Sequence, residues 1–167
     1  MTPGKTRGSS GSFEVLAFFT ADHAVEANGK VYINGAFFER VYNTSFPAQL
    51  SIAVVALIKI PPEEFLRDHT FTVEIEDDTG DKLPDFKIEA GFRAAPPRDA
   101  RPGDPAQMPI AIPLSGVSLP RAGDYWFVLS INGNEATRYQ VRAAQVGVLT
   151  QQFSQIPQGG DDSQEQE

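Results

Sequence analysis

At 167 residues, with 41% hydrophobic residues and a net charge of −8, the chain has the length and apolar content of one domain with a single core. The acidic balance disfavours a sequence-independent grip on nucleic acid and docking on anionic lipid. With no cysteine, disulfides and thiolate-ligated metal centres are excluded, and two histidines are all that remain for imidazole chemistry. Thirteen prolines and fourteen glycines favour turns and edges over helices.

Residues 1–11 are rich in Gly, Ser and basic side chains without periodicity, and disorder is expected there. An ordered β domain is expected over 12–153. Ser12 to Thr20 reads as a first strand, apolar at nearly every position and hence central or covered on both faces. Ala24 to Glu26 and Lys30 to Gly35 flank an Asn28-Gly29 turn signal, and Phe37 to Tyr42 continues that edge. Leu50 to Ile60 is the most apolar run. Its β-branched content and flanking prolines favour a central strand, with Ile52, Val54, Ala56, Ile58 and Ile60 in one row and Ala53, Val55 and Leu57 in the other. Pro61-Pro62 stops it, and one helical turn fits Glu63 to Asp68.

Thr70 to Glu76 alternates strictly, with Phe71, Val73 and Ile75 inward, and Asp77 to Gly80 turns into a returning strand over Pro84 to Phe92. Ala94 to Gln107 has no periodicity and forms the longest loop. Met108 to Leu114 carries Pro109 and Pro113 on one face; proline cannot donate to a ladder, so this is an edge strand. Pro120 to Gly123 is a corner at which the chain changes sheets. The hydroxyl of Tyr125, just beyond it, is placed to hydrogen-bond back across the corner. Tyr125, Phe127, Leu129 and Ile131 face a core, Asn132-Gly133 supplies a two-residue turn, and Ala136 to Val141 returns. A short last element is expected within Gln145 to Phe153, then a disordered acidic tail over 154–167. About eight strands spaced by turn signals predict an all-β fold: an antiparallel Greek-key or immunoglobulin-like sandwich.

The segments DHAVEANGKVYINGAF, FTVEIEDDTGDKL and PGDPAQMPIAIPLSGVSLPRAGDYWFVLSING give the chain a likeness to a known family. Over about Phe13 to Val141 it resembles a bacterial family of unknown function, DUF6941. The matching positions are turn glycines and core aromatics, so the resemblance implies a β-sandwich module. It implies no activity, and no functional residue is carried over from it.

Several clusters invite a functional reading. Asp22-His23 and Asp68-His69 are expected at strand boundaries; if both boundaries met, two imidazoles and two carboxylates would suit a divalent metal. The alternative is that they are strand-end polar residues. Asp77, Asp78, Asp81 and Asp85 crowd one loop, as calcium-binding loops do, although aspartate also favours turns for local reasons. Arg93, Arg98 and Arg101 stand in or beside the long loop and suit an acidic partner, or else local ion pairs over a sheet edge. Trp126, opposite in facing to Tyr125, suits a partner contact or packing on its own sheet. No triad ordering, phosphate-cradling glycine loop or thiol nucleophile is present.

These observations predict a non-catalytic interaction or structural module that needs no cofactor. Its partner is expected to be another protein, with the chain itself a monomer or weak oligomer. A small-molecule or carbohydrate-binding sandwich using Trp126 with Tyr32 or Tyr42 is the alternative, and a metal protein built on the two Asp-His pairs comes third. With no apolar run near the ~20 residues of a membrane span and no apolar stretch behind the first basic residues, a cytoplasmic location is expected.

Overall fold

The computed structural model describes residues 12–147. The expected disordered ends and the element expected to run to Phe153 therefore lie largely outside the described residues. Within them are nine strands and one short 3₁₀ turn. One sheet has the order β2-β1-β4-β7, with β1 Glu14–Ala27, β2 Lys30–Ala36, β4 Ala48–Ile60 and β7 Ala106–Leu119. The other has the order β3-β9-β8-β5-β6, with β3 Arg40–Asn43, β5 His69–Asp77, β6 Lys82–Phe92, β8 Gly123–Ile131 and β9 Asn134–Gln145. All neighbours run antiparallel except β3 and β9, which are parallel. The expected all-antiparallel arrangement is thus corrected at one edge. A chain that arrives from the other sheet meets β9 in the same direction.

The two sheets share a core. Ile52, Val54, Ala56, Ile58 and Ile60 of β4 pack with Phe71, Val73 and Ile75 of β5 and with Tyr125, Phe127, Leu129 and Ile131 of β8. Period-two alternation put each of these rows on one face, and burying them together drives association of the sheets. β4 is central and β7 is an edge, as the β-branched run and the prolines of β7 require. The Asn132-Gly133 turn has φ values of +50° and +78°, which only such a pair adopts cheaply, and it brings Ile131 opposite Asn134.

The N-terminal third departs from the sequence reading. β1 is one strand of 14 residues, not two short pieces, and Asp22-His23 lies inside it rather than at a boundary. β1 pairs with β4 from Glu14 to Ala21 and with β2 from Ala21 to Ala27. Beyond Ala21 the β1–β2 hairpin leaves β4 and curls over the outer face of the sheet. There Phe19, Ala21, Ala24, Ala53 and Val55 form a second buried cluster, with Val31 of β2 and Ala111 of β7 packed against it. This is why β4 is apolar in both rows.

Phe37 to Tyr42 does not continue the edge of β2. The chain crosses to the other sheet, where Arg40–Asn43 becomes β3. The crossing is pinned at the carbonyl oxygen of Phe38, which accepts from the Thr20 hydroxyl and the Tyr139 hydroxyl, both at 3.2 Å.

Candidate functional site

The two Asp-His pairs do not converge. His69 is 5% exposed, and its ring meets Phe13 at a centroid distance of 4.9 Å. From Phe13, β1 runs eight extended residues, ~25 Å, before reaching Ala21 and then the exposed His23. His23 pairs with Asn34, while Asp22 lies over Gly35 so closely that a β-carbon there would collide with its carboxylate. Asp68 is held by Arg93 in a two-pronged ion pair, with Nε to Oδ1 at 2.8 Å and NH2 to Oδ2 at 2.7 Å. That contact lowers the carboxyl pKa of Asp68 below its usual range.

His69 is structural in its contacts. Nε2 faces the Glu64 carbonyl oxygen at 3.0 Å and Nδ1 faces the Asn132 amide nitrogen at 3.1 Å. A neutral ring with the proton on Nε2 satisfies both. Asn132 uses its other end to accept from the Thr70 N–H, so one side chain ties the tip of the β8–β9 hairpin to the start of β5.

The aspartates of the β5–β6 turn do not share a vacant centre either. Asp77 Oδ1 accepts from the backbone N–H groups of Thr79 and Asp81 and lies 2.6 Å from the Thr79 hydroxyl. These bonds, the Thr79 hydroxyl foremost, hold its pKa at about 2. The cation facing Asp77 and Asp78 is the guanidinium of Arg121, from the β7–β8 corner. Asp85 has left the turn and stands exposed on β6. Among the described residues no three His, Asp or Glu side chains are grouped as a metal site would need.

Arg93, Arg98 and Arg101 differ in how they are held. Arg93 is taken by Asp68, and the Arg101 backbone N–H donates to Asp104 at 2.8 Å, which closes a loop turn; Arg98 is exposed. Trp126 is half-buried rather than fully exposed, on the outer face of its sheet between Glu76 and Gln140 of the flanking strands. Arg138 reaches Glu76 at 3.3 Å and Glu135 at 2.6 Å, so charged side chains flank the indole.

A different surface stands out, and sequence reasoning missed most of it. On the solvent side of the β1–β2 hairpin, Val25 and Tyr32 are direct cross-strand partners and remain 46% and 57% exposed. Ile33 is also exposed, and Phe37 at the hairpin's base is 68% exposed while its ring lies 4.3 Å from that of Phe19. Leu16, Val25, Tyr32 and Ile33 of β1 and β2, with Phe37 just beyond β2, are five of the eight exposed large hydrophobics among the described residues. The signal in the sequence was the apolar content of VYI on both faces of an expected edge strand. Dividing β1 in two hid its extent.

Two sheets with a shared core define an all-β domain. The chain belongs to the family of unknown function DUF6941, whose model matches residues 16–144. No curated protein matches it. No helix among the described residues is long and apolar enough to cross a membrane.

Proposed function

We propose that the chain is a non-catalytic interaction module, a Greek-key or immunoglobulin-like β-sandwich that presents its β1–β2 hairpin to another protein. The observation that carries this reading is the exposed Val25–Tyr32 pair on the outer face of the hairpin. Scattered apolar side chains are ordinary on a surface, but an apolar cross-strand pair left open on the outer face of a hairpin is what a partner would desolvate. The hairpin is fixed from beneath by Ala24 and Val31 on the second cluster, so its shape is set before any partner arrives.

The partner is a different polypeptide, and the chain itself is a monomer or a weak oligomer. A cytoplasmic setting, without nucleic acid or membrane, fits the net charge of −8. Co-purification from the native host tests this. A protein retained by the parent chain, and lost from Val25→Asp and Tyr32→Asp variants of unchanged melting temperature, is the expected result. Equal retention by both variants would refute the assignment of the hairpin.

A further inference from the structure

A second surface is built by two irregularities that face each other. Along the β5–β6 ladder, Glu74 opposes Lys87 and Glu76 opposes Lys82, so two steps on β5 are matched by five on β6. Along β4–β7, Leu50 opposes Val117 and Ser51 opposes Ser115, which leaves Gly116, at φ +74°, as an extra residue. Both β6 and β7 are edge strands, one from each sheet. Their bulges line a single cleft of about 610 Å³ between the sheets. Bulges bend a strand away from its neighbour and recur beside binding sites. Here the pair opens the domain along one side.

The floor of this cleft is the core itself. Phe86, Ile88 and Ile112 are half-buried there, and Leu114 and Val117 are buried. The rim supplies Asp85, Ser115 and Ser118. A concave site of this size, apolar inside with a few polar groups at the mouth, has the character of a small-molecule pocket.

We propose that this cleft binds a small amphiphile, an apolar body with an uncharged or cationic head. Two features select that occupant over an added peptide strand and over an anion. Pro84, Pro113 and Pro120 line the cleft without backbone N–H groups, so an inserted strand would meet a gap in the row of ladder donors on each wall. Asp85 is the charged side chain among the residues that line the cleft; it repels an anionic head and attracts a cationic one. This site is separate from the hairpin and goes beyond its role in partner contact.

The test titrates the full chain with N-phenyl-1-naphthylamine, an uncharged apolar fluorophore. Bound probe is then displaced by dodecyltrimethylammonium or by dodecanoate, each below its micellar concentration. One saturable site is expected, with the cation displacing at lower concentration than the anion, and Asp85→Asn narrowing that preference at least about threefold. Ile112→Trp fills the floor and Ser118→Tyr blocks the mouth; each is expected to weaken the probe by about tenfold or more, the loss of roughly 1.4 kcal/mol. Ser118 is exposed, so its variant folds even if the tryptophan is not accommodated. No saturable binding, or parental affinity in the folded filled variants, overturns the proposal. So does loss of the probe in Tyr32→Asp alone, which would move the probe to the hairpin and leave the partner reading standing.

Discussion

The hydroxyl of Tyr125 donates to the carbonyl oxygen of Arg121 at 2.8 Å, across the corner where the chain passes from β7 in one sheet to β8 in the other. The Arg121 N–H in turn approaches the Tyr125 hydroxyl oxygen at 3.4 Å, and the tyrosine is 1% exposed. Burial raises the phenol pKa above its ordinary value, which favours the protonated, donating form. The same residue, Arg121, sends its guanidinium to Asp77 and Asp78 on the β5–β6 turn. Corner and turn are thereby fastened at one end of the molecule.

Tyr125→Phe keeps the ring and removes this donor. A part-buried carbonyl is left unpaired, and the expected loss is about 1–3 kcal/mol in urea unfolding, with the far-ultraviolet spectrum unchanged. A variant as stable as the parent would mean that the bond does not hold the corner.

Asn132→Gly separates the side chain of Asn132 from its backbone role. Glycine accepts the +50° dihedral, so the turn remains, but His69 Nδ1 and the Thr70 N–H lose their partner. A destabilisation of about 1–2 kcal/mol is expected, measured by chemical unfolding. His69→Phe in the Asn132→Gly background should then cost less than in the parent, because the two residues act as a pair.

Ala53→Leu tests the curled hairpin. Ala53 belongs to the row of β4 that faces away from the main core, yet it is buried beneath β1 and β2. Overpacking there is expected to cost about 1–3 kcal/mol. If the row were open to solvent, the change would be nearly neutral, and a thermal melt distinguishes the two.

Acid should weaken the domain through its paired carboxylates. The Asp77 carboxyl sits at about 2 instead of its ordinary 3.8, first through the Thr79 hydroxyl and then through the backbone groups and Arg121. Asp124 and Glu135 are lowered by Arg142 and Arg138. A pKa depressed in the folded state contributes stability that is complete above the unfolded value and lost as pH falls through the folded one. For Asp77 that window runs from 3.8 down to about 2. Urea midpoints collected across it should converge between the parent and Asp77→Asn, whereas above it their separation should stay constant.

Local chemistry made much of this molecule legible in the sequence. Alternation assigned the inward rows of β4, β5 and β8, Asn132-Gly133 fixed a hairpin register, and Pro109 with Pro113 marked an edge. Those signals are properties of a residue and its near neighbours, which is why they survive without a partner strand in view. The contacts that position surfaces are different in kind. Nothing near Asp22 or His23 announced that β1 would run through them, because a continuous strand is decided by the ladders with β4 and β2 on either side. Likewise Arg121 lies more than forty residues from Asp77 and Asp78, and only the pairing of β8 with β5 turns an apparent cation site into a satisfied ion pair. The sequence determined which residues face inward and where the chain turns, since both follow from backbone dihedrals and apolar burial. The tertiary structure alone decided that the hairpin covers Val55, that the histidines stay apart and that two bulged edges face one another. Each of these depends on long-range register, and register is settled by the packing of whole sheets rather than by any short stretch of chain.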